Sequence, residues 1–379
     1  MSAGSLPARG TTDDMAFRVY RFHGRVDVLV DEGVSASLQR SIDFQIGHFR
    51  DDGESTAPWR IEVHPYERIA DVDADAATRF HRSRAATGQL LDMPPQRVAL
   101  RREPWGYSLF LQGGSGFLML TLQLLLCAQG VSLVHAGALS DADGRVILLP
   151  GAGGVGKTAL IARLVRDGRC RLLGDDIVAL TNRGGVLAVP RAFVLKDCHR
   201  ETLPEAFASA VGRPRPVPPG ARRVLRFLYR NAPFMGVTLK LLSAAGLLDA
   251  VAARFRPPPE FEAIPVSSLF GDSAVVSEGP LREVVFLERY AGAAFRFEPL
   301  DGKALLRRMF SIIHHEWVDH MRAFWQLGAT ELVDLPAYFE QARLTLEAST
   351  ADCAIHRMEI PEAATPSELA DFFLERIAL

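Results

Sequence analysis

The chain has almost no charge imbalance: 43 lysines and arginines stand against 45 aspartates and glutamates, for a formal net charge of −2. A balance this close gives no general attraction to a polyanion, so no nucleic-acid partner is expected. Cysteine is scarce. Cys127, Cys170, Cys198 and Cys353 are far apart and form no pair with metal-ligand spacing, which fits buried free thiols in a reducing compartment. Long hydrophobic runs are missing too. The most apolar stretch, residues 116–126 continuing to Cys127 and Ala128, is interrupted by Thr121 and Gln123 and is too short to span a bilayer. It reads as a buried helix, and no membrane partner is expected. Residues 1–15 are polar and small, with no apolar core of a secretory signal. A disordered start and a cytoplasmic location are the resulting expectations.

What the sequence does hold is globular composition, 48% hydrophobic and 23% charged, over 379 residues, enough for one large or two ordinary domains. Residues 17–30 read as strand-rich, and from there to about residue 112 short strands alternate with turn signals such as Asp51-Asp52-Gly53 and Pro94-Pro95. This half carries no phosphate loop and no clustered ligand set. An accessory α+β domain over residues 16–112 is therefore expected, with the glycine cluster around Gly113 as a junction to a second domain, 113–379.

The second part is better punctuated. Residues 133–140 and 145–149 read as a hairpin around the turn 141–144, followed by a glycine-rich loop, a helix from Thr158 to Asp167, and Gly168 as its stop signal. A short strand at 171–173 leads into Asp175-Asp176, and 177–181, 185–189 and 282–288 read as further strands. Residues 302–326, 337–347 and 366–377 read as helices. The proline-rich basic stretches 213–223 and 254–259 read as connectors, or as lids or peptide contacts near the loop.

The glycine-rich loop is Gly151-Ala152-Gly153-Gly154-Val155-Gly156-Lys157-Thr158, which meets G-x-x-x-x-G-K-[ST] at every fixed position. Glycines let successive backbone N–H groups turn inward as an anion nest, which a Cβ would obstruct. The Lys157 ammonium suits β and γ phosphates, the Thr158 hydroxyl suits Mg²⁺, and the helix points its positive end at the phosphates. The flanking apolar strand and amphipathic helix (Leu160, Ile161, Leu164, Val165) are the context such a loop requires.

Asp175 and Asp176 follow Lys157 by 18 and 19 residues, room for one helix, a turn and a short strand, so both acids sit at a strand end beside the loop. Two adjacent carboxylates can divide labour, one near the metal and one accepting a hydroxyl proton. A metal pair in a hydrolase and an ordinary surface turn are the competing readings. His135 lies one hairpin upstream, where an imidazole could orient one aspartate, or be structural.

Val134-His135-Ala136-Gly137-Ala138-Leu139, then the phosphate loop, then residues 172–180 around Gly174-Asp175-Asp176-Ile177, resemble the HPr serine kinase/phosphorylase family and its HPr-kinase-like relatives. The resemblance covers residues 116–194, with Leu269-Phe270-Gly271 and the strand 283–287 similar to later family elements. It implies an α/β fold: a phosphate-loop kinase domain with a mixed sheet, joined here to the N-terminal α+β part and a helical C-terminus. It implies ATP and Mg²⁺ as cofactors, Asp176 as the base, His135 as its support, Lys157 on phosphate, and Thr158 and Asp175 at the metal. The family's Glu-x-Arg-Gly segment is absent; that region reads from Val189 to Lys196, where Arg191 and Lys196 could contact phosphate or acceptor. Relatives with this motif style resemble kinases of ribosomally made, modified peptides, lasso-peptide precursors among them. The expected activity is phosphorylation of a serine or threonine hydroxyl on a peptide or small protein. A small-metabolite kinase and a nucleotide-switched NTPase are the alternatives. Related kinases assemble, which leaves room for a homo-oligomer.

Overall fold

The computed structural model describes residues 16–71, 78–80, 83–86, 88–194, 202–205, 263–316, 318–377 and 379. The chain divides into two compact units, Met1–Phe193 with Pro265–Leu379, and Val194–Ile264. Lys196 and the two proline-rich basic stretches lie outside the described residues.

The first sheet uses strands β1 (Phe17–Phe22), β2 (Val26–Asp31), β3 (Arg50–Asp51), β4 (Trp59–Pro65), β5 (Thr78–Phe80), β6 (Ser83–Ala86), β7 (Leu90–Met93), β8 (Val98–Glu103) and β9 (Gly106–Leu111). They lie in the order β3-β1-β2-β4-β9-β8-β7-β6-β5, with β2, β4 and β9 parallel and the other neighbours antiparallel. Helix α1 (Ala36–Ile46) starts where the Ser35 side chain accepts from the Leu38 N–H, and it buries Leu38, Ile42 and Ile46. This helix gave no sequence signal strong enough to place it.

Helix α2 (Gly116–Cys127) is buried from Leu118 to Cys127 without a polar face. It shares one core with Tyr20, Val28 and Ile61 of the first sheet and with Val131 and Leu133 of the strand after it. The apolar run expected to be a buried helix is one. Among the described residues, no helix is long and apolar enough to cross a membrane.

The second sheet runs β11-β10-β13-β14-β17-β19-β18, and β11 also pairs with β17. Its strands are β10 (Val131–Ser140), β11 (Val146–Pro150), β12 (Arg171–Gly174), β13 (Ile177–Thr181), β14 (Gly185–Leu187), β17 (Glu278–Tyr290), β18 (Arg296–Pro299) and β19 (Ala354–Pro361); the short β15 (Phe193–Val194) and β16 (Ala263–Ile264) lie outside it. Side chains alternate across it. Leu139, Ile147 and Leu149 pack with α3 (Lys157–Arg166) and α8 (Pro366–Arg376), whereas Ala138, Val146 and Leu148 pack with α5 (Gly302–Glu316) and α7 (Leu335–Thr350). Leu160, Ile161 and Leu164 of α3 are at most 1% exposed, and burial of each is worth about 1.5–3 kcal/mol. The short helix α4 (Val266–Phe270) precedes β17, and α6 (Val318–Ala329) packs Phe324 and Leu327 into the first core.

The whole is a mixed α/β fold with parallel and antiparallel pairs. Two sequence readings need correction. The C-terminal part is not helical throughout: β19 enters the sheet beside β17 in parallel register, from Glu283↔Ala354 to Tyr290↔Pro361. Its sequence, Ala-Ile-His-Arg-Met-Glu-Ile-Pro, alternates only loosely because its final four residues are all buried. The helix read over 302–326 is described as two helices, α5 and α6, with Trp317 outside the described residues.

Candidate functional site

The site is built on β10 and its two neighbours. The β10–β11 hairpin pairs Ala136 with Pro150 and Ser140 with Val146. Its turn is held by Asp141, which is 2% exposed and accepts from the Asp143 and Arg145 amides, each at 2.9 Å, and from Arg282 at 3.0 Å. β11 therefore ends beside β10 and delivers the chain directly into the loop at Gly151. There Gly151 bridges Leu287 of β17, and a Cβ on Gly151 would stand 2.6 Å from the Leu287 carbonyl oxygen. Gly154 and Gly156 take φ of +80° and +109°, conformations a side chain would strain, and α3 begins at Lys157.

On the other edge of β10, β12 and β13 form one interrupted strand. The ladder holds at Ala138↔Gly174 and again at His135↔Ile177, and between them Asp175 and Asp176 leave it as a bend. A Cβ on Gly174 would sit 2.5 Å from the Ile177 carbonyl oxygen, so this tight bend requires glycine. The interruption leaves the Asp176 carboxylate half-exposed beside His135, while Asp175 stays buried.

The side chains then form a chain of contacts. Lys157 is 6% exposed, and its ammonium donates to the Gly151 carbonyl at 2.6 Å and the Ala152 carbonyl at 3.0 Å. The same Nζ is 3.3 Å from His135 Nε2. His135 Nδ1 lies 3.4 Å from Asp176 Oδ1, and the other Asp176 oxygen pairs with Arg191. An Nε2 that faces an ammonium must accept, which assigns the ring proton to Nδ1, toward Asp176. Burial, and after it the Lys157 charge, holds the His135 pKa below its ordinary 6.5, so the imidazole is neutral near pH 7. Asp175 is 9% exposed, and burial together with the Asp176 charge pushes its carboxyl up to about 7. The Asp176 side chain is 43% exposed and open to an incoming group.

Arg191 does not reach free toward the loop. Its guanidinium is engaged by Asp176 and lies 4.9 Å over the Phe44 ring of the first sheet's helix α1. Thr158 is half-buried in the first turn of α3. Lys196 lies outside the described residues.

One site residue escaped the sequence reading. Glu316, at the end of α5, accepts from the Gly153 N–H at 2.8 Å, so a carboxylate touches a backbone amide of the glycine-rich loop. It is 163 residues away along the chain, and nothing in its local sequence points to the loop.

No family model matches the sequence, and no curated protein matches it. Among solved structures the chain is similar to the Hpr(Ser) kinase/phosphatase from Coxiella burnetii, with 11% identity over 64% of this chain and 97% of that chain, at a TM-score of 0.26. So distant a likeness carries no argument, and the function is read from the chain's own residues.

Proposed function

We propose that this protein is a Mg²⁺–ATP-dependent kinase that transfers the γ-phosphoryl group to a serine or threonine hydroxyl of a peptide or small protein. The observation that carries the reading is the contact chain Lys157–His135–Asp176 at the mouth of a complete phosphate loop. It sets a cation for phosphate and a half-exposed carboxylate within one imidazole's width of each other.

In this reading the amides of residues 151–158 and the Lys157 ammonium hold the phosphates, so that catalysis is mostly positioning and electrostatics. Asp176 takes the proton from the acceptor hydroxyl as its oxygen bonds to the γ-phosphorus and ADP leaves. His135, neutral and with its N–H toward Asp176, orients that carboxylate. Arg191 anchors the second Asp176 oxygen. The residues also fit a divalent cation: Asp175 is a buried acid held partly protonated, and a cation beside it would stabilise its charged form. Thr158 and Asp175 would hold Mg²⁺, which would neutralise charge on the phosphates.

A ribosomally made precursor peptide, of the lasso class among others, is the leading acceptor, on the strength of the motif resemblance alone. The sheet over residues 17–111 would then serve as the accessory part and the remainder as the kinase part, in a cytoplasmic protein.

The test is incubation with γ-labelled ATP, Mg²⁺ and peptides encoded beside the gene, read as a gain of one phosphate by mass. Asp176→Asn is expected to lower transfer at least ~100-fold while ATP binding persists. Phosphate release with no labelled acceptor would replace the kinase reading with a nucleotide-switch one, and lost ATP binding would make Asp176 a metal ligand.

A further inference from the structure

The phosphate loop has two sides, and the proposed chemistry uses only one. β11, which ends in the loop, has β10 on one flank, at Ala136↔Pro150, and β17 on the other, at Gly151↔Leu287. His135 and Asp176 belong to the β10 flank. An in-line displacement places attacking and leaving oxygens on opposite sides of the phosphorus. If the acceptor approaches past Asp176, the leaving diphosphate and whatever it carries must extend toward β17.

On that flank lies a cleft of about 720 Å³ between the end of β17 and α5, within the range of small-molecule sites. Ala152 and Val155 of the loop itself form part of its wall, so it opens directly from the phosphate nest. Ile312 supplies apolar surface, and the buried Phe286 and Leu287 back the wall. Three arginines border it, and two are already engaged. Arg308 pairs with Glu288 and lies over the Phe286 ring, and Arg289 donates to the carbonyls of Pro361, Glu362 and Ala364. Arg307 is exposed and makes no ion pair or side-chain hydrogen bond among the described residues. A planar guanidinium at the border of a partly apolar cleft suits a group with a flat aromatic ring and an adjoining phosphate.

We infer that this cleft seats the nucleoside end of the donor, with Arg307 the side chain that separates a nucleoside diphosphate from a bare polyphosphate. The inference rests on the proposed phosphate-binding role of the loop and adds the direction in which the nucleotide lies and the residue that recognises it.

Titration calorimetry with Mg²⁺ and two probes, ADP and inorganic tripolyphosphate, tests it. Two variants are compared with the wild type: Arg307→Ala, on an exposed helical position where alanine is well tolerated, and Ser311→Trp, which fills the cleft from an exposed position. Each is expected to weaken ADP about tenfold and to leave tripolyphosphate within about twofold. Melting curves confirm that both variants fold. Unchanged ADP affinity in both variants, or equal weakening of the two probes, overturns the inference while leaving the phosphate loop intact. A wild type that binds neither probe overturns the phosphate-loop reading itself, and this one with it.

Discussion

In the proposed function, Glu316 and a bound phosphate would compete for the same loop amide. The Gly153 amide donates to Glu316 Oε1 at 2.8 Å, and a bound phosphate would need that amide. Binding must therefore exchange one hydrogen bond for another and bring a second anion beside the carboxylate. Glu316→Ala is expected to tighten binding of Mg²⁺–tripolyphosphate by about 3- to 10-fold, in calorimetry, because it removes the competitor and the repulsion. Weaker binding would place Glu316 among the groups that hold the ligand or its cation. Asp175 and Asp176 show how far one peptide unit separates neighbours. The first is buried with its carboxyl pushed up to about 7, while the second is half-exposed and tied to Arg191 and His135. The sequence put the two acids beside the loop; their unequal burial depends on the ladder of β10, which no local pattern displays.

The element that aims the site is the β10–β11 hairpin. One strand carries His135 and the other ends in the loop, so any looseness in their shared turn moves both. The Asp141 carboxylate reinforces that turn through two backbone amides and the guanidinia of Arg145 and Arg282, beside the backbone bonds Asp141 N–H to Arg145 and Gly144 N–H to Asp141. Asp141→Ala would take the acceptor from the Asp143 and Arg145 amides, while Arg145 keeps Asp143 and Arg282 keeps Glu283, and a loss of about 1–3 kcal/mol is expected in denaturant unfolding. Unchanged stability would mean water replaces the carboxylate at no cost. This hairpin was legible in the sequence because both strands are bounded by turn residues and by the glycine-rich loop. β19 was not: it is a strand between two helices, and its partner β17 lies some seventy residues earlier in the chain. Helix α1 was obscured similarly, since its apolar face, Leu38, Ile42 and Ile46, is sparse and its core partners come from the sheet.

Across the molecule the two sheets meet at more than the α2 core. His23, in the β1–β2 turn, has Nε2 2.8 Å from the Ala188 carbonyl oxygen, just past β14. Burial keeps its pKa below the ordinary 6.5. The unfolded chain therefore takes up a proton at a higher pH than the folded one does. Stability contributed by this group is fully present above about 6.5 and is lost as pH falls from there toward the lower folded value. Set against the His23→Asn variant, which leaves the opposing contribution of Asp175 in place, the wild type should lose melting temperature as pH falls below 6.5. His23→Asn removes the titration and suits the left-handed φ of +49° at this position, so its acid decline should be shallower. An identical slope in the variant would assign the acid sensitivity to other groups.

The loop, the acid pair one helix downstream and the histidine one hairpin upstream were all set by sequence, because each depends on chemistry and spacing within about forty residues. Tertiary structure alone decided which of them touch: Lys157 to His135, His135 to Asp176, Asp176 to Arg191. It also brought Glu316 to the loop from 163 residues away and opened the cleft between β17 and α5. Contacts of that range depend on how sheets and helices pack, and packing leaves no periodic trace in the segments it joins.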